Sequence, residues 1–108
     1  MTYSEQEIYS LKKKNMIILF NLYKEDIIAN ADKINKLGLD KTNSEHLVWM
    51  CETAVKCYDE FYISDNNNSK VNRWLGFIQG ILIATGCTTV DKERDRTRYL
   101  LTEHKKLL

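Results

Sequence analysis

A chain of 108 residues fits one domain by the usual prior of roughly 100–200 residues each, and it leaves no room for a cleft between two lobes. Hydrophobic residues at 44% and charged residues at 29% belong to a folded globular protein and exclude a chain disordered throughout. A formal net charge of +1, from 16 basic and 15 acidic residues, argues against an affinity built on neutralising many duplex phosphates.

Proline is absent, so nothing of that kind interrupts a long helix. The first predicted helix spans 5–37. Ser4-Glu5-Gln6-Glu7 fits a capping box, in which the serine and the glutamate three residues on satisfy each other's backbone donors. Ile8, Leu11, Ile18, Leu22 and Tyr23 form one apolar row, and Met16, Phe20, Ile27, Ala31 and Ile34 a second. Apolar residues on two faces predict self-association through this helix. The run Lys12-Lys13-Lys14-Asn15 interrupts the pattern and is the expected place for a bend.

The second predicted helix spans 44–63, opened by a capping box in Thr42-Asn43-Ser44-Glu45. Its stripe of Leu47, Cys51, Ala54, Tyr58 and Phe61 is the clearest amphipathic signal in the chain. A polar loop, Ser64-Asp65-Asn66-Asn67-Asn68-Ser69, follows. The third helix, 70–85, is apolar on nearly every side, which marks it as the central and most buried element. Gly76 and Gly80 stand four apart inside it. Each costs about 1 kcal/mol there relative to alanine, so close approach by another helix, within the chain or from a second copy, is expected. A leucine at Gly80 would then overpack. Gly38 and Gly86 follow helical patterns and fit left-handed C-terminal caps. The fourth helix, 89–107, begins with the charged run Asp91 to Arg96. The fold expected is all-α, a bundle of about four helices.

Chemistry-bearing motifs are few. Cys51, Cys57 and Cys87 are odd in number and lack C-x-x-C spacing, which favours reduced core thiols over a disulfide framework. His46 and His104 are the only histidines. Neither belongs to H-E-x-x-H or E-x-x-H, and no E-x-x-E or phosphate-cradling glycine loop occurs, so no metal, cofactor or catalytic residue is assigned. The chain is read as a non-enzyme. A helix-turn-helix would place an apolar residue six positions after Gly86, where Lys92 stands, and the following helix alternates acid with base; nucleic acid is not the expected partner. No apolar segment suits a signal peptide or a membrane span, and the expected location is the cytoplasm.

Basic residues interleaved with aromatics are the candidate ligand-binding set: Arg73, Trp74, Arg94, Arg98 and Tyr99. Arginine grips phosphate bidentately and a ring can stack on a base. The alternative is that the arginines pair with Asp91 and Asp95 on a solvated helix face. Two partners fit these residues equally, a host protein and a small nucleotide.

The segment Lys70-Val71-Asn72-Arg73-Trp74-Leu75-Gly76-Phe77-Ile78-Gln79-Gly80, followed by Thr88-Thr89-Val90-Asp91 and Glu93-Arg94, resembles one shared by small bacteriophage helical proteins. Their pattern is an R-W-L-G-F-x-Q-G core, a short turn and a charged helix. The likeness covers the last part of the chain and none of the first 65 residues. It implies a phage origin, residence in the host cytoplasm, and stoichiometric binding of the kind that blocks a host defence protein or sequesters its nucleotide signal. It supplies no catalytic residue.

Overall fold

The computed structural model describes residues 4–64 and 69–101, apart from the side chains at 63, 64, 69 and 99–101. These residues are all-helical, with no strand among them: α1 (Glu5–Ala29), α2 (Ala31–Asn35), α3 (Ser44–Lys56), α4 (Tyr58–Ser64), α5 (Ser69–Ala84) and α6 (Val90–Leu101). Six helices replace the expected four because two of the predicted helices are divided. The end of the last predicted helix and most of the polar loop, residues 102–108 and 65–68, lie outside the described residues.

The break in the first helix falls at Asn30 and not at the lysine run. Asn30 turns its side-chain Nδ2 onto the Asp26 carbonyl at 2.8 Å, a local bond that competes with continued helix. Its backbone leaves the helical region, with φ −114° and ψ 22°. The lysine run stays helical, with Lys13 reaching Asp59 on α4. The second break, at Cys57, has φ −106° and ψ 22°. It involves neither glycine nor proline, and the turn it makes lets Tyr58 and Phe61 join the same core as Leu47, Met50, Cys51 and Ala54.

The caps follow local chemistry. Ser4 and Glu7 form the capping box, with Glu7 N–H donating to Ser4 Oγ at 3.1 Å and Ser4 N–H to Glu7 Oε1 at 3.3 Å. At α3 the cap is Asn43, whose Oδ1 accepts from His46 N–H at 2.8 Å. Thr42 instead donates its hydroxyl to the Leu39 carbonyl, so the expected box starting at Thr42 is displaced by one residue. Gly86 takes φ 77°, and the amides of Gly86 and Cys87 close back on the carbonyls of Ile83 and Leu82. That paired closure is a Schellman ending.

The core is organised on α1 and α3, which make the most extensive helix–helix contact. From α1, Met16, Leu19, Phe20, Tyr23 and Ile27 are fully buried. The helix α5 is not the central element. It buries one stripe, Val71, Leu75, Ile78 and Leu82, while Arg73, Gly76, Phe77, Gly80 and Ala84 lie on its exposed side. A Cβ added at Gly76 or Gly80 meets nothing within 4 Å. No helix of the chain therefore packs on these glycines among the described residues, and overpacking at Gly80 does not arise within one copy.

The three cysteines are free. Only Cys51 is buried, with Cys57 and Cys87 half-buried, so the reading of all three as core thiols holds for one. Among the described residues, no helix is long and apolar enough to cross a membrane.

Candidate binding surfaces

Two surfaces emerge around α5, and they divide the sequence-predicted site residues between them. The first lies where α3, α4 and α5 meet. Trp49 projects from α3 away from its buried stripe and remains 52% exposed. Its indole stacks on His46 at 5.4 Å between centroids and tilts against Trp74 at 5.8 Å. Trp74 in turn meets Phe61 edge-on at 5.0 Å. Lys70 caps the far end, with Nζ 4.2 Å from the Phe61 centroid and 5.6 Å from that of Trp74. Such contacts fix the rings, because the ammonium is attracted to their electron-rich faces. Phe77, one helical turn beyond Trp74, is 42% exposed, and residues three apart share a helix face. The result is an aromatic ledge of Trp49, Trp74 and Phe77, held from below by Phe61 and edged by Lys70 and Arg73.

The second surface is a shallow groove of about 430 Å³ between α5 and α6, lined by Gln79, Ile83, Val90, Glu93, Arg94, Thr97 and Arg98. Its floor is a buried polar network. Glu93 is only 4% exposed. Its carboxyl accepts from the Tyr23 hydroxyl on one oxygen and from Thr88 Oγ1 at 2.8 Å on the other. Gln79 Nε2 donates to Tyr23 Oη at 2.8 Å and to Thr97 Oγ1 at 3.2 Å. Arg96 lies 3.9 Å from Glu93, bonds Asp26 on α1 at 2.9 Å, and covers the Tyr23 ring at 5.4 Å. Burial first, and the bond to Glu93 second, push the Tyr23 phenol well above its ordinary range. It therefore stays a neutral donor at any physiological pH.

The predicted ligand set is thus split. Arg73 and Trp74 belong to the ledge. Arg94 and Arg98 belong to the groove, where Arg98 lies 4.0 Å from Asp95 on the solvated face that the charge pattern allowed. The backbone of Tyr99 is on α6, but its side chain lies outside the described residues. Trp49, Phe77, Gln79 and Thr97 were not singled out by the sequence. For Trp49 a signal existed, since it falls out of phase with the Leu47–Cys51–Ala54 stripe, and a large aromatic off the buried face of an amphipathic helix has no core role. The described residues place no group of three His, Cys, Asp or Glu side chains where a metal ion could be held. His104, the partner that any two-histidine site would need, lies outside them.

Burial pushes the Cys51 thiol up to about 12, with the Lys24 charge only partly offsetting it. That thiol is not a nucleophile at neutral pH. No protein-family model matches the chain, and no curated protein or solved structure matches it.

Proposed function

We propose that this protein is a non-catalytic binding protein that docks on a protein partner through the Trp49–Trp74–Phe77 ledge and acts stoichiometrically. The observation that carries this is Trp49 at 52% exposure, held in a fixed orientation by His46 and Trp74. Exposed, pre-oriented tryptophans are characteristic anchors of protein interfaces, because they bury a large apolar area at little entropic cost. Lys70 and Arg73 at the edge suit a partner surface with acidic residues around an apolar pocket. The resemblance of residues 70–80 to a phage segment supports a host protein, such as a defence factor, as that partner, and the host cytoplasm as the place of action.

The groove supports a second reading, sequestration of a small nucleotide. Arg94 and Arg98 would grip phosphate while Gln79 and Thr97 offer polar groups to a base. Binding of a nucleic acid is a third reading, and the net charge of +1 weighs against it.

Two experiments separate these readings. A photo-crosslinking residue at position 49 should trap a single protein from host lysate, and Phe77→Ala should lose that product while melting like the parent. In parallel, a thermal-shift screen with linear and cyclic nucleotides tests the groove: a ligand at 100 times its dissociation constant should stabilise the fold by about 2.7 kcal/mol. Turnover of excess substrate by a trace of protein would overturn a stoichiometric role altogether.

A further inference from the structure

The outer face of α1 carries a second apolar pattern that the core does not use. Leu11, Asn15, Ile18, Leu22, Glu25 and Ala29 are spaced alternately four and three apart, the interval of a heptad seam. The seam spans ~27 Å at 1.5 Å per residue. Its apolar centre is open, with Ile18 and Leu22 each 38% exposed, and Glu25 and Ala29 are exposed as well. None of these side chains belongs to the buried cluster beneath, which uses Met16, Leu19, Phe20, Tyr23 and Ile27 on the opposite side of the helix.

The polar members of the seam say what covers it. A parallel pair of such helices would set Glu25 against Glu25 and Asn15 against Asn15, placing like charges in the interface. An antiparallel pair centred between Ile18 and Leu22 sets each residue against its complement. Ile18 meets Leu22, Leu11 meets Ala29, and Asn15, an amide with two N–H donors, meets the Glu25 carboxylate. Lys14, beside Asn15, adds an opposite charge near the same carboxylate. Neither Lys14 nor Glu25 has an ion-pair partner among the described residues of its own chain. Each half of the seam is thus complementary to the other half, which is the requirement of an isologous twofold contact.

We infer that α1 pairs antiparallel with α1 of a second copy, across Leu11, Asn15, Ile18, Leu22, Glu25 and Ala29. This contact lies on a different helix from the ledge and the groove, so it stands or falls independently of the partner proposed above.

Sedimentation equilibrium at micromolar concentration tests the pairing and charge reversal tests its direction. The 12.7 kDa chain should sediment at twice that mass, and Leu22→Lys should return it to the monomer with its helical circular dichroism intact. Glu25→Lys should weaken the dimer at least tenfold, by facing Lys14 and Asn15 with a cation. Adding Lys14→Glu to Glu25→Lys should restore it. A monomer at all concentrations up to about 100 μM overturns the proposal. So does a dimer that Glu25→Gln strengthens, since removing the charge relieves a Glu25–Glu25 repulsion that only a parallel pair has.

Discussion

Tyr9, Asp59 and Lys13 form one cluster near the start of α1, and Tyr23, Glu93 and Arg96 form another towards its far end. Each joins a phenol, a carboxyl group and a cation, and each ties α1 to a later helix, α4 in the first case and α6 in the second. In both, the tyrosine hydroxyl donates to the acid. Their surroundings differ. Asp59 stands in solvent, with its side chain 56% exposed and Lys13 at 2.9 Å. Glu93 is buried and has four polar neighbours, Tyr23, Thr88, Arg96 and, through the tyrosine, Gln79. The same three chemical groups therefore do different things. In water the cluster competes with hydration and is screened by salt. In the interior every unmade bond leaves a desolvated group, so the inner cluster fixes how α6 docks and with it the floor of the α5–α6 groove.

The largest expected effect comes from emptying the inner cluster. Glu93→Ala leaves the Tyr23 and Thr88 O–H groups without their acceptor and removes one acid facing Arg96. The cost should be about 2–3 kcal/mol, a fall in Tm of roughly 10–15 °C, read by thermal unfolding followed at 222 nm. Glu93→Gln sharpens the point. The amide keeps an oxygen for Tyr23 and a polar group for Thr88, so it should recover at least half of the loss. Equal damage from both variants would mean that the charge, and not the hydrogen bonding, holds α6 in place.

Much of this architecture was legible from residue order, and the part that was not has a physical reason. The box at Ser4–Glu7 and the left-handed Gly86 are local signals, decided within one turn of chain, and both stand where the sequence puts them. The divisions at Asn30 and Cys57 were not legible. Asparagine breaks a helix only if its side chain chooses the backbone, and Cys57 carries no signal at all; the turn there serves to bring Tyr58 and Phe61 onto the core. The burial of α5 was overestimated because an apolar helix can be apolar outside as well as in. Phe77 and the two glycines face outward, on the side opposite Val71 and Leu75. The ligand set was split for a related reason. Arg73 and Trp74 are far from Arg94 and Arg98 in sequence, and only the docking of α6 on α1, facing Gln79 and Ile83 of α5 across the groove, decides that they do not converge. Glu93 looked like one charge in a solvated run, and nothing in that run distinguishes the one acid that turns inward.

Alkaline titration gives an intermediate effect. The folded protein holds the Tyr23 phenol above the ordinary value of about 10. A group whose pKa is raised on folding contributes stability that is complete below its unfolded value and is lost as pH climbs through the folded one. Stability should therefore be flat in this respect through neutral pH and decline from about pH 10 upward. Tyr9 shifts in the same direction, by burial first and its bond to Asp59 second. Comparing Tyr23→Phe with Tyr9→Phe assigns the slope. If the inner cluster dominates, Tyr23→Phe removes most of the loss of Tm between about pH 10 and 11, the unit above the unfolded phenol, and Tyr9→Phe removes little.

The smallest effect should come from the outer cluster, and its signature is the opposite pH window. The Tyr9 bond first, and the Lys13 bond second, hold the Asp59 carboxyl below its ordinary range. A depressed pKa contributes stability that is present above the unfolded value, near 3.9, and is lost as pH falls through the folded one. Asp59→Asn should thus melt slightly below the parent at neutral pH and low ionic strength, and the two should converge as pH falls through the parent's depressed folded value, where its carboxyl is protonated too. They should also converge in salt, because the Debye length shrinks to about 3 Å at 1 M and the Lys13 pair is open to it. The inner cluster offers the control. The difference between Glu93→Ala and the parent should survive the same salt, since desolvated hydrogen bonds are not screened. A salt-insensitive Asp59→Asn effect would show that the outer cluster is shielded after all, and the contrast between the two would then lie in their hydrogen bonds alone.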